Sequence, residues 1–408
     1  MNTIRTTCNS MLFVVAAVLA GPAHADSTWI EWMAHPSDGD SGTFYGTAAA
    51  LTPSLAVIGA FGADSHQGAG YVLKKVGTSW VETQKLVADD GAAGDELGYD
   101  AAMNPELIAV TAWNATVGGN TAQGAVYLFQ TEAGSWTQVQ KLVADDGAIF
   151  DNFGQSVALD GSTVLVGANG ATIAGQGAQG AAYVFVNAGS GWVQQQKVFS
   201  DDGATLDNFG FSTAIRGTTM FVGAHQATVD GHVHQGAVYL FTQSGSVWTQ
   251  TQKLSASDGG ANDAFGASMS FDGTTLVIGA TGTDGHGAAY VFTNSGGTWT
   301  EVQKLVSDDG ANGDNFGDAV SLSGSEILVA ADVATVDGIT SRGAGYLFSL
   351  VGDTWVQTHK FVASDGTVDN FYGAAAAFDG NTAVLTSAQR NTAYFYTRDS
   401  LFADGFDG

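Results

Sequence analysis

The side chains best suited to chemistry in this chain are carboxylates, and they recur in one pattern. A D-D-G-A-x-x-D run supplies Asp145, Asp146 and Asp151, and a second copy supplies Asp201, Asp202 and Asp207. Grouped carboxylate oxygens suit calcium, but a dedicated calcium loop places them at alternate positions. That alternation is missing, so the preferred reading is that these aspartates cap backbone N–H groups in tight turns. Calcium remains the alternative, and no other cofactor is implied. His225, His232 and His234 gather around one segment. A two-residue spacing would set His232 and His234 on one side of an extended strand, as a transition-metal pair requires. No third ligand follows nearby, and polar loop histidines are the simpler reading. Trp113 falls outside the spacing of the other tryptophans and is the aromatic singled out for ligand contact, with core burial as the plainer alternative.

Other chemistry finds no footing. The chain has no nucleophile elbow, H-E-x-x-H pair or phosphate loop, and no paired catalytic carboxylates stand out. Its formal charge is −27, which excludes nucleic acid or anionic lipid as a general electrostatic partner. Charged residues make up only 13% of the chain, against about 25% in an ordinary soluble domain. With 56 glycines and 4 prolines, the composition points to many tight turns between strands.

Both chain ends read as signals. Arg5, the apolar run Met11–Leu19 and the small-x-small step Ala23-His24-Ala25 form a leader over residues 1–25. Its removal takes one cation and no acid, leaving 12 basic against 40 acidic residues, or −28. The one cysteine, Cys8, leaves with it, so no disulfide is expected in the mature chain. No later stretch is long and apolar enough to span a bilayer. The last residues, 399–408, hold Leu401–Gly408 (LFADGFDG), which resembles a short C-terminal signature of some secreted Gram-negative proteins. Sorting tag and disordered end are both open.

The elements that position these residues are set by a repeat. An apolar-glycine pair recurs seven times, at Tyr45-Gly46, Leu97-Gly98, Phe153-Gly154, Phe209-Gly210, Phe265-Gly266, Phe316-Gly317 and Tyr372-Gly373. The glycines are spaced 52, 56, 56, 56, 51 and 56 apart. Within one copy, Gln155–Leu159 is a strand, Asp160-Gly161 a hairpin turn, and Thr163–Ala168 a continuous apolar strand. Ala181–Phe185 and Trp192–Val198 follow as third and fourth strands. Seven such units over residues 26–398 predict an all-β chain, a seven-bladed β-propeller of four-stranded antiparallel blades. The seventh unit lacks a fourth strand. Residues 28–35, with Trp29 ten residues before Gly39, are expected to supply it and close the ring.

Length varies in one place only. From the alanine ending strand two to the glycine opening strand three, the offsets are 8, 12, 12, 12, 7 and 12. Because strands alternate in direction, these 2–3 loops share a face with the connectors that hold 19 of the 40 acids. An acidic, loop-variable face is where a binding site belongs.

Segments such as Lys141–Gly154 (KLVADDGAIFDNFG), Thr163–Ala168 (TVLVGA) and Gly180–Phe185 (GAAYVF) resemble bacterial FG-GAP repeats, relatives of the propeller in integrin α-chain heads. The resemblance spans residues 28–397 and implies extracytoplasmic binding or adhesion without naming a ligand. Integrin-type repeats often carry a calcium loop between strands one and two; here that link is a two-residue turn, so those calcium sites do not transfer. The expectation is a secreted or cell-envelope monomer, periplasmic or on the outer surface, that binds a protein, glycan or cation and is not an enzyme. The alternatives are a structural surface or matrix protein and a hydrolase using the central channel.

Overall fold

The computed structural model describes residues 29–39 and 42–399. The expected leader over 1–25 and all but the first residue of the expected tail lie outside them. The described chain folds into seven four-stranded antiparallel sheets, each ordered first strand to fourth, with first strands of neighbouring blades packed around a common axis. The chain is a β-propeller.

Second strands explain why the sheets stand on edge in a ring. Thr163–Ala168 and Thr275–Ala280 are buried from their second residue onward, and Leu107–Ala112 along its whole length. An unbroken apolar strand must be covered on both faces, and only neighbouring blades can do that. Fourth strands alternate instead, since their outer face meets water: Ser135–Leu142 buries Trp136 and Leu142 and exposes Thr137 and Val139.

A clamp repeated around the rim joins successive fourth strands. The Gln84 side chain donates from Nε2 to the Trp136 carbonyl (2.6 Å) and accepts from the Trp136 N–H (2.8 Å). Gln140 grips Trp192 in the same way, as Gln196 does Trp248, Gln252 does Trp299 and Gln303 does Trp355.

Closure uses the N-terminal strand. Trp29–Ala34 pairs antiparallel with Thr392–Arg398, from Trp29 opposite Arg398 to Ala34 opposite Ala393. Every other fourth strand carries a β-bulge, whereas this one pairs without a register shift. The missing bulge is the missing residue: Trp29 stands ten before Gly39 where Trp136 stands eleven before Gly147. Trp32 takes over the clamp, its indole N–H donating to the Trp80 carbonyl at 2.9 Å, and Trp80 stacks on Phe395 across the seam.

One detail differs from the sequence expectation. Asp160 pairs with Thr163, so the residues of that hairpin turn are Gly161 and Ser162, one later than the Asp-Gly reading.

The blades meet backbone to backbone. The Phe153 N–H donates to the Gln123 carbonyl at 2.8 Å, and a Cβ on Gly124 would lie 1.9 Å from the Phe153 carbonyl oxygen. Gly124 and Gly134 share a φ of +88°, yet nothing lies within 4 Å of a Cβ on Gly134. The pair separates backbone strain from contact. Gly134→Ala is expected to cost about 1 kcal/mol, the left-handed penalty alone. Gly124→Ala should cost about 3 kcal/mol or more, because the clash involves backbone. Urea unfolding of both variants measures the difference, and equal losses would refute this account of the seam.

Candidate functional site

The connectors between blades build one face of the ring. In the connector entering blade three, Asp151 Oδ2 accepts from the Ala148 N–H at 2.8 Å and closes the turn. Asp207 does the same for Ala204. Burial holds both carboxyls above the usual range. The middle aspartate has a different task. Asp146 accepts from the Tyr183 hydroxyl (3.0 Å) and Lys197 Nζ (2.7 Å), both from the blade the connector enters, and Lys197 sits 5.2 Å from the Tyr183 ring centroid. Asp202 is held in the same way by Tyr239 and Lys253. Burial opposes the charge on Asp146, but Lys197 and Tyr183 outweigh it and keep the carboxyl below its usual range.

Six blades repeat this anchor, with Asp38, Asp90, Asp258 and Asp309 in the other four. In both short-loop blades the lysine gains a second partner, Asp64 on Lys85 and Asp284 on Lys304. Blade seven has Met33 opposite Tyr394 where the others have lysine, and Asp365 keeps only the tyrosine and Arg390 at 4.0 Å. A depressed carboxyl pKa adds stability above the ordinary aspartate range and loses it as pH falls through the folded value. These anchors therefore weaken in acid.

The first aspartate of each run is free on its side chain. Asp145 and Asp201 are exposed, and among the described residues only their backbone N–H groups are engaged, by Gln194 and Gln250. The three aspartates of a run thus point to three different tasks. Among the described residues no three His, Cys, Asp or Glu side chains converge as a metal site would require.

The histidines have different partners. His225 lies 3.8 Å from the Phe211 ring centroid, and burial lowers its pKa to about 4, so it is neutral at ordinary pH. The His232 ring nitrogen Nδ1 meets the Gly259 carbonyl at 3.0 Å. His234 is exposed, with φ +55°. Trp113 is half-buried, donates to Glu96 (2.8 Å) and packs on Tyr99 at 5.1 Å.

Loops and connectors share this face, as their hydrogen bonds show: Phe150 to Thr121, Leu206 to Gly177 and Asn262 to Val233, each donating through its N–H. The long 2–3 loops repeat one small hairpin, closed by Val117 with Asn120, Ile173 with Gln176, Val229 with His232 and Val336 with Ile339.

A profile of the FG-GAP repeat matches residues 80–129, 136–185, 192–241, 248–292 and 299–348, more than half of the chain. The chain belongs to the FG-GAP repeat family. Each matched unit runs from the tryptophan of one fourth strand to the third strand of the next blade, so it contains one complete connector. No curated protein matches the chain.

Against the FG-GAP repeat, the positions that break it stand out. All but Phe44, which precedes the Tyr45-Gly46 pair, follow the FG glycine or the end of strand two, and this places them at the axial mouth on the connector face. Blades one and two put aromatics there: Phe44 stacks on Phe61 at 4.7 Å, Phe61 reaches Tyr99 at 6.4 Å, and Tyr99 reaches Trp113. Blade six instead carries Asp318 and Asp332, with Asn315 donating to Asp332 at 3.3 Å. Burial pushes both carboxyls up, and the neighbouring Asp332 adds to the rise at Asp318. Sequence reasoning found Trp113 and passed over Phe44, Phe61, Tyr99, Asp318 and Asp332. Comparing the seven copies at the positions after the FG glycine and after strand two would have found all of these but Phe44.

A carboxyl raised by burial penalises the folded state as pH climbs from the ordinary aspartate range toward its folded value. Asp318→Asn removes that penalty. The variant is expected to match the wild type near about pH 4 and exceed it in unfolding midpoint by a margin that grows toward about pH 8. Thermal unfolding across that range checks this, and a constant gap would contradict it.

Proposed function

We propose that this FG-GAP propeller is a non-enzymatic binding or adhesion module that works outside the cytoplasm and meets its partner with the connector face. One observation carries the reading. The glutamine clamp recurs at five blade junctions and the aspartate anchor in six blades, while the loop lengths and the repeat-breaking side chains gather on that face. A purely structural ring would have no need to concentrate its differences there, and loops held by a rigid scaffold are the usual place for recognition. The signal-like leader supports export, and no helix among the described residues is long and apolar enough to cross a membrane. The partner class is a protein, a glycan or a cation.

A second reading has one specific observation in its favour. Asp318 and Asp332 are adjacent buried carboxyls whose pKa values burial raises, a pairing that general acid–base hydrolysis can use. Among the described residues no third His, Cys, Asp or Glu joins the pair as a metal site would require.

The decisive variant shortens the 2–3 loops of blades two, three, four and six to the length of the blade-five loop. It should keep its β-sheet spectrum and lose at least about tenfold in affinity for envelope proteins or an immobilised glycan panel, with and without calcium. Undiminished binding would remove the connector face from the account. Turnover of a hydrolase substrate panel, abolished by Asp318→Asn, would favour the second reading.

A further inference from the structure

The residue before each turn-capping aspartate, or its equivalent, has a left-handed backbone in all seven blades: Gly42 (φ +84°), Gly94 (+90°), Phe150 (+64°), Leu206 (+70°), Asn262 (+69°), Gly313 (+88°) and Asp369 (+56°). Five of these are residue types that tolerate the conformation. Phe150 and Leu206 are not, and each holds a strained backbone at a site where other blades have glycine. Packing does not offset it. Phe150 is 63% exposed and Leu206 57%, and both face solvent from neighbouring connectors on the same face. Ile149 (54%) and Val233 (52%), on the flanking chain, extend the apolar surface.

We infer that Phe150 and Leu206 form the docking patch of the connector face, and that its occupant is a basic protein segment carrying apolar anchors. The inference rests on the binding reading above and names the partner's chemistry. Charge decides the occupant. Asp145 and Asp201 lie on the same connectors as Phe150 and Leu206, and Asp230 on a 2–3 loop of the same face; all three are exposed and have no ion-pair partner among the described residues. The lysines that anchor these two connectors, Lys197 and Lys253, are engaged by Asp146 and Asp202. A second copy of a −27 chain, or an anionic bilayer, would bring like charge against this rim. A Lys- or Arg-bearing segment brings the opposite charge and lets the two apolar side chains leave water.

The test uses three synthetic peptides of about fifteen residues, one Lys/Leu, one Lys/Ser and one Glu/Leu, with the wild-type chain and the Phe150→Gly, Leu206→Gly double variant. The wild type should bind the Lys/Leu peptide at least about tenfold more tightly than either control, and the affinity should fall with salt. The double variant should lose about tenfold in that affinity while its unfolding midpoint stays level or rises, since glycine relieves the strain. A Phe150→Asn, Leu206→Asn pair, equally tolerant of the backbone, should lose binding to the same extent, which guards against a folding artefact. Equal binding by the wild type and both variants overturns the patch. If the loop-shortened protein still loses that binding, the connector-face reading survives without it. Self-association of the wild type that both variants abolish would hand the surface to a second copy and also overturn the proposal.

Discussion

The structure depends on a close approach of two backbones. Where one blade's third strand begins, the carbonyl before the glycine accepts the N–H of the aromatic that opens the next blade, as Gln123 does from Phe153 and Gln179 from Phe209. No side chain fits between them: a Cβ on Gly180 would lie 2.0 Å from the Phe209 carbonyl oxygen. This contact sets the angle between blades, buries the aromatic ring beneath the seam, and brings each 2–3 loop against the connector that follows. The face on which recognition can occur is thus a by-product of how the blades are joined.

Acidity on that face has two physical meanings. Most connector carboxylates are structural, because they close turns or bind the tyrosine and lysine of the blade they enter. They lie on the surface and still offer a partner little, since their oxygens are in use. The remaining ones, such as Asp145 and Asp201, have free side chains and give the face its available charge. Counting acids overstates the field a partner meets, because each anchored aspartate is matched by a lysine at hydrogen-bond distance. An exposed ion pair contributes little to stability by itself. Its repetition in six blades fixes the connectors in place, which is a gain in geometry more than in energy.

Departures from the repeat carry information for the same reason. A side chain that the scaffold demands must appear in every blade, as the clamping glutamine nearly does. Trp32 replaces that glutamine at the closing seam, where an indole N–H reaches the same carbonyl. That change is structural. The aromatic crescent from Phe44 to Trp113, the Asp318–Asp332 pair and the strained Phe150 and Leu206 answer no such demand, since other blades do without them.

The fold was almost wholly legible in the sequence, because a seven-fold repeat states the strand pattern seven times and an unbroken apolar second strand admits no solvent-facing sheet. Closure by the N-terminal strand was readable from Trp29, and the one-residue shortfall before Gly39 recorded the absent bulge. Tertiary structure alone decided which carboxylates are spent and which are free: Asp145 and Asp146 are neighbours of one type, but only Asp146 comes within reach of Tyr183 and Lys197. It also gave His225 and His232 different partners, and revealed that Phe150 and Leu206 share a backbone conformation with glycines. Backbone dihedral and side-chain partner depend on residues dozens of positions away, and no local spacing encodes them.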